Sequence, residues 1–408
     1  MPISPLFITA SSMVNALGRG KAATLTALQN KQSGLRLSDN LDFCSLEFST
    51  WLGRVDGVDD YLLEDHLSQF RCRNNQLAKL TLDSDGFREA ASQAKSKYGA
   101  DRIGVFLGSS TSGSEETEKA YLKRDENGDL PTDYNFMHTH NFTSLLDYTQ
   151  QSLGLSGVGH VISTACSSSA KVFAAAHRHI EAGFCDAAIV GGVDTLTQVS
   201  LYGFHSLQLT SAEPCRPCDA NRDGISIGEA AGFALLEKTP AETSPGQNSQ
   251  VILKGYGESS DAYHMSSPHP EGRGAANAML QALNTAALAA RDISYINLHG
   301  TATPANDAAE DKAVTSVFGT QIPCSSTKGW TGHTLGAAGI TEALICALIL
   351  ENQFLPANLN LKNSDPALGM HVLSENTKPD HNIRHVISNS FGFGGSNCSL
   401  IFGLAPSA

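Results

Sequence analysis

Cys166 stands in the run Ser163-Thr-Ala-Cys-Ser-Ser-Ser-Ala170, between an apolar strand-like segment and an alanine-rich helical one. A cysteine at a strand-to-helix turn lies at a helix N-terminus, where the dipole and free amides favour the thiolate and lower the thiol pKa. The same amides can receive an oxyanion. That is the setting of a nucleophilic cysteine. By residue type alone a buried structural cysteine competes with this reading; the turn context sets Cys166 apart from the other eight cysteines. His299, in Asn297-Leu-His-Gly-Thr-Ala-Thr303, and His333, in Thr331-Gly-His-Thr334, are flanked by glycine at strand ends or loop starts, where functional groups gather. Gly300 and Gly332 are expected to let a substrate approach the backbone closely. Lys328 lies five residues before His333.

Other motifs carry less. Phe391-Gly-Phe-Gly-Gly-Ser-Asn397 tempts a phosphate-loop reading, but its sixth position from Gly392 is Asn397 and it precedes a strand, not a helix. Phenylalanines between glycines suit a movable apolar wall with exposed amides. Cys215-Arg-Pro-Cys218 is a lone CxxC with no second pair for zinc, and reads as a loop. No GxSxG elbow exists; Gly108-Ser-Ser-Thr-Ser112 lacks the last glycine.

The elements that must position these residues are legible as apolar runs ending in small-residue turns. Strands are expected at 5–9, 102–107, 160–163, 187–190, 232–236, 251–255, 295–298, 385–388 and 398–402, and helices at 167–183, 274–290 and 336–351. Their alternation predicts an α/β fold with sheets covered on both faces. Thr239–Gln250, polar with two prolines and a glycine, reads as a linker, giving halves at 1–250 and 251–408. Each half has a strand ending in a small-residue turn that opens an alanine-rich helix, and each has a glycine pair, Gly191–Gly192 and Gly394–Gly395, so a duplicated unit is expected. With 408 residues, 41% hydrophobic and 17% charged, the chain is not disordered. Its net charge of −13 argues against general nucleic-acid or anionic-membrane binding. Nine scattered cysteines, no basic leader and short apolar runs predict a reduced, cytoplasmic protein without a membrane span.

Taken together the motifs resemble the β-ketoacyl-acyl carrier protein synthases, the condensing enzymes of the thiolase-like superfamily. They follow the family's order over nearly the whole chain: Ser163–Cys166; Cys215-Arg-Pro with Asp219 and Asn221–Gly224; His299–Thr303; Lys328 with Thr331–His333; and Asn389–Gly395. The resemblance implies a thiolase-like fold of two related halves in five alternating α-β-α-β-α layers. It implies the elongating Cys-His-His type, with Cys166 as nucleophile, His299 and His333 as the histidine pair and Lys328 in support. Glu310 and Glu342 match acidic positions beside the site, Thr301 and Thr303 the pantetheine channel, Phe391 the gate, and Phe393 the second oxyanion amide. Thr111 stands near the acyl tunnel. Arg71, Arg73, Lys123 and Arg124 fall in segments resembling the carrier-docking surface. The implied reaction condenses an acyl group with malonyl-acyl carrier protein and needs no metal, flavin or nucleotide. The implied partners are acyl carrier protein and a second subunit, identical or chain-length-factor-like.

Several residues depart from the family pattern. Ile225 and Ala230 replace a common aromatic and a glycine, and Tyr134–Asn141 matches no assigned motif. The opening Met13-Val-Asn-Ala-Leu-Gly18 is similar to ketosynthases of aryl-polyene clusters. These departures point to a specialised fatty-acid, polyketide or polyene pathway and leave the acyl substrate open. The alternatives are a chain-length-factor-type subunit, which would lack the nucleophilic cysteine; a thiolase-like acyltransferase, which would want a second-half cysteine in a different setting from Cys324; and a cysteine hydrolase, which would leave the second histidine unexplained.

Overall fold

The structure is a computed structural model that describes residues 1–40, 46–239 and 251–405. Cys44 and the expected linker and boundary, apart from Thr239, lie outside the described residues. Strands β1 (Leu6–Asn15), β2 (Ile103–Gly108), β3 (Gly159–Ile162), β4 (Ala187–Asp194) and β5 (Ala230–Glu237) precede position 240. Strands β6 (Val251–Ser260), β7 (Tyr295–Asn297), β8 (Pro323–Ser325), β9 (His371–Val372), β10 (His385–Gly392) and β11 (Ser396–Leu404) follow position 250. They form one hydrogen-bonded path, β9-β8-β7-β10-β11-β6-β1-β5-β4-β2-β3, with Gly18–Arg19 paired to β1.

The path repeats itself about its middle. β1 pairs antiparallel with β5, β5 antiparallel with β4, and β4 and β3 both run parallel to β2. In the same sense β6 pairs antiparallel with β11, β11 antiparallel with β10, and β10 and β8 both run parallel to β7. The halves join where β1 meets β6, with Leu6 opposite Leu253 and Phe7 opposite Ile252. This duplicated order is the thiolase-like pattern.

Layering follows from which faces are apolar. β2 and β4 are buried along their whole length, as strands covered on both sides must be. Helices Ser168–Glu181 and Ala338–Asn352 touch each other and the strands of both halves, forming the middle layer of the central core. Helix Arg273–Ala286 covers β6 and β11 on one outside face. Helices Arg73–Leu82, Phe87–Tyr98 and Thr143–Leu153 cover the other. In the middle helix every residue from Ala338 to Leu350 is buried. The continuous helical stretch Leu335–Asn352 is long and apolar enough to cross a membrane, contrary to the expectation from short apolar runs, but nearly all of it is buried inside the fold.

One expected surface residue is a core residue. Arg73 is 3% exposed. Its guanidinium pairs with the buried Glu229 at 2.5 Å and with Asp59 at 2.7 Å. Glu229 also accepts the Val55 and Leu196 amides, so the pair ties four segments together. Burial works against the guanidinium charge, but Glu229 and Asp59 more than offset it. Arg73 therefore cannot be a carrier-docking residue. Removing one member of a buried pair leaves the other charge uncompensated and costs about 3–5 kcal/mol. Arg73→Ala is accordingly expected to lower the urea midpoint by that much stability; a midpoint equal to the parent's would return Arg73 to the surface.

Candidate active site

β3 ends at Ile162, and the chain turns through 163–167 into helix Ser168–Glu181. Ala165 inside the turn has φ 53°. That left-handed conformation costs a residue with a Cβ roughly 1–2 kcal/mol. The turn's own groups hold it: the Thr164 N–H donates to Ser168 Oγ (2.9 Å), and the Ser168 hydroxyl donates to the Ala165 carbonyl (2.6 Å). Cys166 is thereby placed in the wall of a pocket while itself only 5% exposed. Gly392, at the end of β10, packs on the same turn. A Cβ there would stand 2.7 Å from the Thr164 carbonyl oxygen and 3.3 Å from the Cys166 nitrogen.

Burial pushes the Cys166 thiol up to about 11, against the opposing influence of Lys328 and the Phe393 backbone N–H. This corrects the expectation of a lowered pKa. Loss of hydration outweighs the amides at the helix start, and the resting group is a thiol.

The two histidines come from the other half. His333 Nε2 lies 3.1 Å from Cys166 Sγ. The Leu335 N–H donates to His333 Nδ1 (3.2 Å), so the neutral ring carries its proton on Nε2, facing the sulfur. The His299 ring stands at 86° to that of His333, with 5.4 Å between centroids. Its Nδ1 is buried without a hydrogen-bond partner, so a proton is better placed on Nε2 there too. Burial, then Lys328, holds His333 well below the usual histidine range; burial, Lys328 and His333 do the same for His299. Both rings are neutral at pH 7 and supply N–H donors.

Carboxylates and a lysine brace the pair. The His299 and Gly300 amides donate to Glu310 (2.8 and 2.7 Å), which burial pushes up to about 7. Lys328 Nζ sits 2.5 Å from Glu342 Oε1, both nearly fully buried. Burial pushes Glu342 up to about 7, against the opposing Lys328 charge. Cys166, His299 and His333 each offer a ligand atom within 4.8 Å of the others. In a zinc site, however, the far nitrogen of each histidine donates to an acceptor. Here the far nitrogen of His333 accepts, which is the reverse arrangement.

The pocket, about 700 Å³ with its mouth, is lined by Phe391, Phe393, Thr301 and Thr303 as well as the triplet. The two threonine hydroxyls are 2.9 Å apart. Phe391 lies 5.9 Å from the His299 ring, and Phe393 5.5 Å from the ring of Phe204. The Gly394 N–H donates to the Met265 carbonyl (2.7 Å) and the Asp261 N–H to the Gly395 carbonyl (2.9 Å), so the segment after β6 pins the glycine-rich loop. Sequence reasoning missed Phe204, Asp261 and this pinning segment, because none carries a local motif.

Other expectations fare differently. Gly300 and Gly332 do not face substrate: a Cβ on Gly300 would meet Ser326 at 2.5 Å, and one on Gly332 would meet the Gly228 nitrogen at 2.9 Å. Thr111 is buried away from the pocket lining, and its hydroxyl donates to Asp194 (2.9 Å). The Cys215 thiol donates to the Lys328 carbonyl (3.2 Å) and the Cys218 N–H to Asp307 (2.8 Å), so the CxxC is a bracing loop behind the site. Arg71 and Lys123 are exposed and share a groove with Lys119, and Arg124 lies over the ring of Tyr121. In the unassigned segment Tyr134 and His140 both bond Thr117, leaving Phe136 and Met137 exposed.

A cysteine at a strained turn, two neutral imidazoles of fixed tautomer, a phenylalanine-glycine loop beside them and a duplicated α/β fold define a thiolase-like condensing enzyme. Residues 5–241 match the beta-ketoacyl synthase N-terminal domain and residues 251–362 its C-terminal domain, and the chain belongs to the β-ketoacyl synthase family. It is an acyltransferase, a β-ketoacyl-acyl carrier protein synthase of the elongating type. It is 33% identical to 3-oxoacyl-[acyl-carrier-protein] synthase 2 of Vibrio cholerae, across 97% of this chain and 98% of that one. Over 85% of this chain and 88% of the relative it is 32% identical to the enzyme of the same name from Staphylococcus aureus. Among solved structures, a chain of the complex between a ketosynthase and its chain length factor from Xenorhabdus doucetiae superposes with a TM-score of 0.88 at 38% identity, covering 98% of each chain. A beta-ketoacyl synthase from Burkholderia phymatum superposes with a TM-score of 0.85 at 29% identity, covering 99% of this chain and 100% of that one.

Proposed function

We propose that this chain lengthens a carrier-bound acyl group by decarboxylative condensation with malonyl-acyl carrier protein, with Cys166 as the acyl-bearing nucleophile and His299 and His333 as enolate-stabilising donors. The observation that carries the reading is the 3.1 Å approach of His333 Nε2 to Cys166 Sγ, with Nδ1 occupied by the Leu335 N–H. In the first half-reaction the Cys166 sulfur bonds to the acyl carbonyl carbon. The carbon–sulfur bond to pantetheine breaks, and the thiol proton leaves on the departing sulfur. In the second, carbon dioxide leaves malonyl and its electron pair becomes an enolate, whose oxygen receives the two histidine N–H groups. The α-carbon attacks the acyl carbonyl, the Cys166 and Phe393 amides hold the oxyanion, and the Cys166 thiolate is expelled and reprotonated. Each such donor contributes about 2.7–4 kcal/mol to the transition state. Lys328 lowers the proton affinity of both rings; Glu310 and Glu342 fix the backbone and the lysine; Thr301 and Thr303 line the pantetheine entry beside the Phe391 gate.

The likeness to the X. doucetiae complex supports a chain-length-factor-like subunit as the dimer partner, and the Met13–Gly18 opening supports a specialised polyene-type pathway. The presence of Cys166 argues against this chain being the chain-length factor itself. Eight buried free cysteines among the described residues suit the reducing cytoplasm.

The remaining docking candidates are Arg71, Lys123 and Arg124. An acidic carrier needs a local positive patch to approach a chain of net charge −13. One experiment tests function and docking together. Incubation with acyl-carrier and malonyl-carrier should give a product longer by two carbons, read by mass. Arg71→Glu with Lys123→Glu should raise KM for carrier-bound substrate about tenfold, with a salt-dependent loss, and change KM for a pantetheine thioester less than about twofold. Hydrolysed acyl group without a longer product would overturn the condensing reaction. Equal loss on both substrates would remove the two residues from docking.

A further inference from the structure

Asp194 ends β4, fully buried. Six neutral donors converge on its carboxylate: the Ser109 hydroxyl at 2.7 Å, the Ser110 and Thr111 amides at 2.9 Å each, the Ser110 hydroxyl at 2.5 Å, the Thr111 hydroxyl at 2.9 Å and the Gly336 amide at 2.5 Å. A buried carboxylate demands such partners. Their placement is what matters here. Five come from the segment after β2 in the first half. The sixth, Gly336, lies three residues after His333 in the second. The approach is so close that a Cβ on Gly336 would stand 2.7 Å from Asp194 Oδ2 and from the Ser110 nitrogen. Ser110 Oγ also accepts the Gly336 N–H, at 3.1 Å.

Between Gly336 and His333 stands Leu335, held at φ 53°, whose own N–H donates to His333 Nδ1. The line of contacts is continuous: Asp194 to the Gly336 amide, the Leu335 turn, His333 Nδ1, then Nε2 against Cys166. We infer that Asp194 is the positioning residue of His333: by holding the Gly336 N–H it fixes the left-handed Leu335 turn, and through that turn the nitrogen on which His333 carries its proton. Released from Asp194, Leu335 can leave its strained conformation and withdraw its N–H. His333 can then protonate on Nδ1 and turn a lone pair toward the sulfur and the enolate oxygen, where a donor is required. The inference rests on the reading of His333 as a donor, but its first readout does not. Asp194 also lies close enough to Cys166 for its charge to disfavour the thiolate.

The test is Asp194→Asn, which replaces one acceptor oxygen with a donor and keeps the volume. Histidine-selective 15N labelling, with the His333 signals assigned by their loss in His333→Ala, reports which nitrogen carries the proton. The parent should show His333 protonated on Nε2. Asp194→Asn should show a tautomer mixture, a roughly 30-fold slower release of carbon dioxide from malonyl-carrier, and KM within about threefold. Its Cys166 alkylation profile should shift toward lower pH. Ser110→Ala, which keeps the carboxylate but removes one of its donors and the second acceptor of the Gly336 N–H, should show the same signature at about threefold. An unchanged His333 tautomer in folded Asp194→Asn overturns the inference; should that variant not fold, an unchanged tautomer and rate in Ser110→Ala overturns it. A shifted tautomer with unchanged carbon dioxide release keeps the inference and overturns the donor role of His333.

Discussion

Cys166→Ala is expected to give a folded protein that takes up no acyl group and forms no condensation product, a loss on the order of 10⁴–10⁶-fold. Among the described residues Cys166 carries the only thiol lining the pocket, and the two amides that would hold an acyl oxyanion supply no nucleophile of their own. The side chain removed is one sulfur, so stability should change by about 1 kcal/mol. Intact mass after incubation with acyl-carrier reads the outcome, and a mass gain of one acyl group on the variant would sink the assignment. The parent gives a companion reading. With its thiol pushed up to about 11, alkylation of Cys166 should climb about tenfold per pH unit between pH 7 and 10, as the thiolate fraction does.

The second large effect belongs to the histidines. His299→Ala and His333→Ala should each slow carbon dioxide release about 10²–10³-fold, the worth of one preorganised donor. Acyl transfer to Cys166 should suffer less in His299→Ala than in His333→Ala, because only His333 touches the sulfur. Single-turnover acylation run beside carbon dioxide release separates the two steps. The pH dependence has a definite sign. The neutral ring is the working form and both rings protonate only well below pH 6.5, so loss of the donors should stop decarboxylation only on acidification well below that pH, while a change between pH 8 and 6.5 would belong to the bracing Glu310 and Glu342, which burial pushes up to about 7. Parent-level decarboxylation in both variants would remove the donors from the mechanism.

Much of this site was legible in the sequence because its residues sit at the ends of apolar runs. The strands leading to His299 and Phe391 are buried segments, the shorter apolar run before Cys166 is partly exposed, and all three stop at small residues, so a reader can place a turn there from the local window alone. Arg73 shows where that method stops. Helix Arg73–Leu82 carries Arg, two Asn, Gln, Lys and Thr, a sequence that reads as a solvated face, yet nine of its ten residues are buried. Those of its polar groups that are paired mostly meet chain outside the local window: Asn75 donates to the Ser144 hydroxyl and Gln76 to the carbonyls of Val58 and Asp59, while Arg73 meets Glu229, 156 positions away. Asp194 was invisible for the same reason, since its partners lie 83 to 142 positions distant. The Cys166 thiol was misjudged in the other direction. Its local setting favours the anion, and only the depth of burial, a property of the assembled layers, reverses that preference.

The apolar helix between the halves has a consequence for biogenesis. Its partners in the first half, β5 and helix Ser168–Glu181, are synthesised long before it. Roughly 115 residues separate the end of β5 from the end of that helix, so at about 5–20 residues per second a ribosome needs about 6–23 s to deliver the missing middle of the protein. For that interval the nascent chain carries an uncovered hydrophobic face. Then it gains a segment greasy enough to be mistaken for a membrane anchor. The order in which this fold is made thus separates a hydrophobic face from its cover by seconds.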